Sequence, residues 1–296
     1  MKAYQQEIIV CIVVVMATIL AVWFFFGTME EEKTAVQTDL YSLIAPEPNA
    51  LLAVNKPAVL TNVILKHQQL HDIFSSYLPD IYLSILQKTP SMPSTLFSFH
   101  SQGIVMYTHA DGGFDLLIEK EVLKPLLGIY SPQKTVKDGI TFTYYPESGR
   151  QFFGYYQHQG VFVASYSKKL LESVAQQQIK NKRSITKELD KTQQLADIHA
   201  PLNLIVPANK LDLYVNFNDS LQWRIHDKWL LADVFTNEGK VCCFGSQPYF
   251  ASLDTLYNQM ADTLSKRIET VFPQLHITPE IYHDDNMVYY TGCSPM

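Results

Sequence analysis

Two histidines with the spacing of a metal site are the first candidates for chemistry in this 296-residue chain. His67 and His71 stand four residues apart, which on a helix places two imidazoles on one face. A zinc-protease motif also needs a glutamate directly after its first histidine. Gln68 stands there instead, and an amide cannot act as a general base. The sequence therefore favours two surface histidines and predicts no metal site.

Two other patterns have a structural explanation as well as a chemical one. Ser165 and Lys168 match S-x-x-K, in which a lysine activates a serine at a helix start, but the companion K-T-G and S-D-N motifs are missing. A serine that caps the next helix explains the same residues. His283-Asp284-Asp285 could supply ligands, yet it lies between two apolar runs and is typical of a hairpin turn. We expect no catalytic residue at either place.

The cysteines predict a disulfide. Cys242, Cys243 and Cys293 follow the N-terminal apolar run, whereas Cys11 lies inside it. In an oxidising compartment we expect Cys293 to pair with Cys242 or with Cys243. Neighbouring residues of a strand point to opposite faces, so only one of the two can reach the partner. Three buried, reduced thiols are the alternative.

Composition excludes several classes of function. The formal net charge is −6 and the pI is about 5.8, whereas a nucleic-acid-binding protein needs basic patches. Hydrophobic residues make up 47% of the chain, which is typical of a globular protein. The sequence contains no G-x-S-x-G, Walker A or G-x-G-x-x-G motif. We therefore expect no nucleic-acid partner and no cofactor.

One apolar run near the N-terminus predicts a membrane anchor. Ile8 to Phe26 contains no charged residue, and as a helix it just spans a hydrocarbon core of roughly 30 Å. It ends in aromatic residues, which favour the headgroup layer, followed by Glu30-Glu31-Glu32. A cleaved signal peptide has a shorter apolar region and small residues at its end. Residues 8–27 are thus predicted to bind the bilayer as a retained span.

The anchor divides the chain into predicted regions. The short tip, 1–7, is expected to stay in the cytoplasm of a single-pass inner-membrane protein, with the soluble region on the periplasmic or outer side. Lys2 and Lys33 lie on opposite sides of the span, so the basic bias is slight. Residues 28–45 read as a linker. The soluble region then divides at the polar stretch Gln176 to Arg183 into 46–183 and 184–296.

The hydrophobic pattern of the soluble region predicts an α+β fold of mostly antiparallel sheet packed by helices. Helices are expected at about 59–77, at 119–127, from Ser167, from a Ser184 cap to Leu195, and at 252–272. Strands are expected at 50–54, 95–100, 103–109, 140–145, 151–157, 161–165, 202–206, 211–217, 229–235 and from 240, with a hairpin around 283–287. Leu52 to Pro57 and Leu204 to Leu211 are faintly alike, which is too little to predict a duplication.

Four stretches carry a resemblance to a known group of proteins. They are Ile44 to Asn55, Gly160 to Ser167, Leu211 to Asn216, and Trp229 to Val234 with the later Phe244-Gly245. In these stretches the chain resembles uncharacterised, Bacteroidetes-like envelope proteins of a domain-of-unknown-function family, which have one N-terminal span. The resemblance implies an envelope location and a large extracytoplasmic domain. It implies no activity and no site residue.

Three hypotheses for function follow from these observations. The first is a membrane-anchored extracytoplasmic binding or scaffolding domain that has a protein partner in the envelope and no catalytic role. The second is an envelope hydrolase whose active-site residues are scattered along the chain. The third is a structural subunit of a larger membrane complex. No nucleophile or acid–base constellation stands out in the sequence, which favours the first.

Overall fold

Strands make up most of the part of the chain that the computed structural model describes. The described residues are 38–89, 94–110, 112–147, 151–181, 183–207, 216–217, 221–222, 229–237, 239–248, 278–283 and 287–295. The predicted tip, the anchor at 8–27 and the helix at 252–272 lie outside these ranges, as does most of the strand predicted at 211–217. Among the helices of the described ranges, none has both the length and the apolar content needed to cross a bilayer.

Short runs of β-branched and aromatic residues, bounded by turn residues, form the strands. They are β1 (Ala50–Val54), β2 (Thr95–His100), β3 (Gly103–His109), β4 (Gln133–Lys137), β5 (Ile140–Glu147), β6 (Gln151–His158), β7 (Val161–Ser165), β8 (Leu202–Pro207), β9 (Asn216–Phe217), β10 (Leu221–Gln222), β11 (Trp229–Asn237), β12 (Lys240–Pro248), β13 (Thr278–His283) and β14 (Met287–Pro295). A separate small pair joins β9 and β10.

The other described strands form one 12-stranded sheet in the order β13-β14-β12-β11-β8-β1-β2-β3-β7-β6-β5-β4. Neighbours in this sheet pair in the antiparallel direction, as β2 with β3 and β11 with β12 do. With the helices described next, this sheet shows that the described region is α+β. Strand β4, which the sequence analysis missed, is an exposed edge strand with the sequence Gln-Lys-Thr-Val-Lys.

Two of the described α-helices begin at a residue whose side chain caps a backbone amide. The described helices are short. They are α1 (Pro57–Asn62), α2 (Gln68–Tyr77), α3 (Asp80–Lys88), α4 (Phe114–Ile118), α5 (Lys124–Leu127), α6 (Lys168–Lys180) and α7 (Lys187–Gln194), with 3-10 turns at Leu40–Leu43 and Ile64–Lys66 and a π-helical turn at Glu119–Leu123 that joins α4 to α5. The Ser167 hydroxyl accepts a hydrogen bond from the Leu170 amide at the start of α6, and Asn181 ends that helix in the left-handed region.

Each face of the sheet has its own hydrophobic core. On one face, Val54, Phe97, Met106 and Phe162 pack with Tyr82 and other residues of α1 to α5. On the other face, alternate residues of the same strands pack against α6, α7 and the 3-10 turn at 40–43, and Leu171 is fully buried there. The strands of the first half are therefore apolar on both faces, which is why they read as almost continuous apolar runs.

The strand order of the second half repeats that of the first. Outward from the central pair, β1-β2-β3-β7-β6 on one side matches β8-β11-β12-β14-β13 on the other. The antiparallel pair β1–β8 joins the two sets of strands. The faintly similar strings at 52–57 and 204–211 begin in these two central strands.

Three predictions of local structure need correction. Residues 39–45 are not linker, because Leu40, Leu43 and Ile44 are buried and Asp39 begins the compact unit. Ser184 does not cap a helix: its hydroxyl donates to the Ile44 carbonyl oxygen, while Thr186 is the cap of α7.

The third correction concerns the helix predicted at 59–77. It is α1, a 3-10 turn and α2, because His67 has extended backbone angles between the last two. The predicted boundary at 176–183 falls in and just after α6. The halves 46–183 and 184–296 nonetheless share one sheet through the β1–β8 pair.

Candidate functional site

The side chains of the Ser165–Lys168 motif make contacts within the fold. The Ser165 hydroxyl donates to the Ile104 carbonyl oxygen at 2.7 Å and accepts from the Ser167 amide at 3.0 Å, and the residue is only 1% exposed. The Lys168 ammonium lies 5.4 Å from the centre of the Tyr144 ring, where it makes a cation–π contact. The serine thus connects a strand to the start of α6 and is not presented as a nucleophile.

The histidine candidates lie at the start of α2, within α2 and at the end of β13. His67 precedes α2, whereas His71 lies inside that helix with its Nδ1 atom 3.3 Å from the Ser75 hydroxyl. His283 ends β13, and Asp284-Asp285 lie outside the described residues. In the described part of the chain, no group of three or more histidine, cysteine or acidic side chains has the geometry to hold a metal ion.

For Cys293 the structure selects one of the two expected partners. Cys242 and Cys293 form a disulfide, face each other across β12 and β14, and have Cα atoms 4.1 Å apart. Cys243 is a free cysteine on the opposite face of β12, and burial raises the pKa of its thiol to about 11. At neutral pH the remaining thiol is therefore protonated and a weak nucleophile.

A serine–histidine pair that the sequence analysis did not identify lies on β2. The Ser98 hydroxyl is 2.8 Å from His100 Nε2 and 3.0 Å from the Tyr107 hydroxyl, which accepts a hydrogen bond from the Ala45 amide at 3.2 Å. The signal was present as Ser-Phe-His, because residues two apart in a strand share a face. Nucleophile–base pairs have this geometry.

The surroundings of this pair favour a structural role. Ser98 and Tyr107 are fully buried, so a substrate has no access to the hydroxyl. Burial lowers the pKa of His100, an effect opposed by the backbone carbonyls of Glu47 and Pro46. The imidazole is therefore bonded to Ser98 of β2 and lies close to the backbone of Pro46 and Glu47. Together with the bond from Ala45 to Tyr107, these contacts hold residues 45–47 against the sheet.

A second polar cluster joins the two halves of the sheet. Asn203 on β8 donates to Asp233 Oδ1 on β11 at 2.6 Å and accepts a hydrogen bond from the Asn55 amide group, which follows β1. The Asp197 amide donates to the other carboxylate oxygen of Asp233 at 3.3 Å. Burial raises the pKa of Asp233 above its ordinary value, with the bond from Asn203 opposing the shift. These groups satisfy one another and join β1, β8 and β11.

The most prominent exposed feature is apolar and lies on the helical segment 114–130. Five large side chains there are 46% to 86% exposed, although the same segment buries Ile118, Val122, Leu123 and Leu127 in the core. We call these five the leucine surface: Leu116, Leu117, Leu126, Ile129 and Tyr130. The sequence pattern predicts a helix at 119–127 but no exposed apolar side.

Charged residues of the same segment point in different directions. The side chains of Lys120 and Lys124 are 81% and 63% exposed. Glu119 is only 15% exposed, since its carboxylate accepts from the Tyr155 hydroxyl at 3.3 Å and lies 3.3 Å from the Lys124 ammonium. The outer side of the segment therefore carries apolar groups at both ends and, between them, two lysines that are each paired with a glutamate, Lys120 with Glu121 at 3.2 Å and Lys124 with Glu119.

Comparison with known proteins identifies no family for this chain. No family model matches the sequence, and no curated protein matches it. Crystal form I of TP0453 is similar over 87% of this chain and 93% of that chain, with 10% identity and a TM-score of 0.49. Crystal form IV of TP0453 is similar over 86% and 92%, with 10% identity and a TM-score of 0.44. The resemblance to uncharacterised envelope proteins stays a prediction.

Proposed function

We propose that this protein is a membrane-anchored extracytoplasmic binding or scaffolding domain. Residues 8–27 hold it in the inner membrane as a single-pass protein, and the α+β region lies on the outer side. It acts through a contact surface in the envelope. This proposal assigns it no catalytic residue, cofactor or metal, and no nucleic-acid partner.

The leucine surface is the observation that supports the proposal. Isolated exposed apolar side chains are common on soluble proteins, but several large ones on one short segment are typical of an interaction site. The segment is held in place by core residues of its inner side, so the exposed side chains are displayed on a fixed support. Such a surface favours a binding function.

The polar clusters support the same proposal. Three buried polar residues belong to the polar groups described above, and each forms hydrogen bonds to other residues of the fold: Ser165, Ser98 and Asn203. Their hydrogen bonds join strands to one another or to the entering chain. The polar groups of these side chains thus form hydrogen bonds that hold the fold together.

Photo-crosslinking in the native membrane tests this role. A photoreactive benzophenone side chain is placed at Ile129 in the full chain, with the same replacement at Ile198 as the matched control. Both isoleucines are highly exposed, and Ile198 follows α7 on the other face of the sheet. We expect adducts with protein or lipid from position 129 and none from position 198. Equal yields from the two positions would contradict a dedicated contact surface.

The membrane topology needs a separate test. Alkaline phosphatase fused to the C-terminus folds only outside the cytoplasm, so the fusion should be enzymatically active. A cytoplasmic reporter fused at the same place should be inactive. The reverse result would place the domain in the cytoplasm and refute the extracytoplasmic assignment.

One observation favours the hydrolase alternative, namely the Ser98–His100 pair. Its geometry suits proton transfer, but catalysis would require a movement that exposes Ser98. A fluorophosphonate probe, which labels activated serines, distinguishes the two proposals. Labelling that disappears in Ser98→Ala but persists in Ser165→Ala would establish the hydrolase, whereas an unlabelled protein would leave the binding proposal in place.

A further inference from the structure

We infer that the Cys242–Cys293 bond is a redox-active disulfide, in which the thiolate of a partner attacks the sulfur of Cys293. The chemical class of the partner is a protein that carries a reactive Cys-x-x-Cys dithiol. The inference goes beyond the proposed function, because it depends neither on the anchor nor on the leucine surface. Three observations carry it: the unequal exposure of the two cysteines, the strand pairing around them and an aromatic side chain beside them.

The two cysteines of the bond differ in their exposure to solvent. Cys293 is exposed, whereas Cys242 is buried. In thiol–disulfide exchange a thiolate must reach one of the two sulfur atoms, so access decides which of them is attacked. Exposed disulfides are also more labile than the structural disulfides of a protein core. Cys293 therefore carries the sulfur that a partner reaches, and the Cys242 sulfur is the leaving group.

The strand pairing around the bond keeps the two sulfurs together when the bond opens. Strands β12 and β14 pair along their whole lengths, from Lys240 opposite Pro295 to Pro248 opposite Met287. Strand β14 also pairs with β13, so it has a neighbour on each side. Reduction removes one covalent link and leaves this pairing in place. The two thiols thus stay opposite each other, and the bond forms again without refolding of the domain.

Phe244 supplies apolar surface beside the exposed sulfur. It lies two residues from Cys242 on β12, so the two side chains share a face of the sheet, and Cys293 lies directly opposite Cys242 on that face. The Phe244 side chain is 41% exposed, and its ring makes an edge contact with Phe235 of β11. Aromatic residues are enriched in protein interfaces. An exposed ring beside the attacked sulfur therefore favours a protein dithiol over a small thiol.

The reaction moves two electrons and two protons from the partner to this bond. The first thiolate of the partner attacks the Cys293 sulfur, a disulfide between the partner and Cys293 forms, and the bond to Cys242 breaks. Cys242 leaves as a thiolate and takes up a proton. The second thiol of the partner loses its proton and attacks the partner's own sulfur in the mixed disulfide, which releases Cys293 as a thiolate that is then protonated. The partner ends as a disulfide and this domain as a dithiol, and an oxidised partner drives the same steps in reverse.

Reduction of the full wild-type chain in lipid nanodiscs by reduced thioredoxin tests the inference. Samples are quenched with iodoacetamide, and mass spectrometry measures the alkylation of Cys242 and Cys293. We expect the rate to rise in proportion to the thioredoxin concentration and to stay the same in urea below the unfolding transition. A rate that levels off at the opening rate of the domain, or reduction in unfolding urea only, overturns the inference.

Two phenylalanine variants test the protein partner. Phe152 on β6 is 42% exposed and is the matched control for Phe244. We expect thioredoxin to reduce Phe244→Ala about fivefold more slowly than wild type, the effect of losing one interface side chain, and Phe152→Ala at the wild-type rate. Dithiothreitol, which is too small to use the apolar contact, should reduce all three proteins equally fast. Equal thioredoxin rates for the two variants would overturn the assignment of a protein partner.

Single-cysteine chains test which sulfur is attacked. In a background with Cys11→Ala and Cys243→Ala, Cys242→Ala leaves Cys293 as the one cysteine and Cys293→Ala leaves Cys242. Oxidised glutathione is the probe. We expect Cys293 to form the mixed disulfide about tenfold faster than Cys242, because access controls the rate. Equal rates, or a faster reaction of Cys242, would overturn attack at Cys293, and the reduction kinetics of the wild-type chain decide the question if a variant fails to fold.

Discussion

Removing the Cys242–Cys293 disulfide should lower the free energy of unfolding by about 4 kcal/mol. The bond connects residues 51 positions apart in the sequence. For a loop of that length, the loss of chain entropy in the unfolded state corresponds to ~4 kcal/mol at 25 °C. The two cysteines already face each other across β12 and β14, so replacing both by alanine leaves the strand pairing available. Most of the effect should therefore come from the unfolded state, with a smaller loss from the packing of Cys242.

Urea denaturation of Cys242→Ala/Cys293→Ala measures this effect. We expect a lower midpoint and a steeper dependence on urea, because the unfolded chain without the bond exposes more surface. In a domain of this size the melting temperature should fall by roughly 10 °C. Wild-type protein treated with a reductant should approach the same values. Cys243→Ala is the control, since this cysteine lies on the same strand but outside the bond.

A midpoint unchanged from that of wild type would refute the entropic reasoning. Peptide mapping of protein from the native envelope, without reduction, asks a different question. A linked pair of peptides indicates an oxidising compartment, in agreement with the proposed location. Alkylation of Cys242 and Cys293 as well as Cys243 after unfolding would show that the bond is absent there.

Two further predictions concern packing and pH. A β-carbon at Gly154 would lie 2.7 Å from the Tyr144 ring and 3.0 Å from a methyl group of Leu171. Gly154→Ala should therefore lower the free energy of unfolding, measured by urea denaturation, by about 1–3 kcal/mol. An unchanged midpoint would show that this contact can relax. Because the pKa of His100 is lowered, the fold favours the neutral form of its imidazole. Its contribution to the free energy of unfolding is therefore complete above pH 6.5 and is lost as pH falls through the lower folded-state pKa. Melting temperatures from pH 7.5 to 5 should fall less steeply for His100→Gln than for wild type. Identical slopes for the two proteins would show that His100 does not titrate with folding.

Local patterns in the sequence predicted most of the described elements of the sheet. Strands β2, β3, β6, β7, β11 and β12 were expected from short apolar runs bounded by turn residues, and the structure confirms them. Helix α6 was also expected, because Ser167 precedes an amphipathic run. These features depend on residues close in sequence, whose backbone preferences and periodicity are visible without any tertiary contact.

Other local elements were missed because no clear apolar pattern marks them. Strand β4 consists of exposed residues, two of them lysines, and its place is set by pairing with β5. The beginning of α4 at Phe114 was missed because exposed leucines there depart from the expected apolar stripe. Residues 39–45 read as linker since their burial depends on contacts with α6 and with strands far along the chain.

The order of the strands and the candidate sites were decided only by tertiary structure. Antiparallel runs of similar composition can pair in many orders, and the pairs β1–β8 and β3–β7 join segments far apart in the chain. The choice of Cys242 over Cys243 follows from the register of β12 and β14, which places Cys242 opposite Cys293 and Cys243 opposite Gly292, and alternation alone leaves this register open. The leucine surface likewise exists only because the sheet covers one side of its segment. Long-range strand pairing and the exposure of side chains depend on the packed chain as a whole. The sequence by itself determined the anchor prediction, the α+β class and the local strands, because these depend on composition and short-range periodicity.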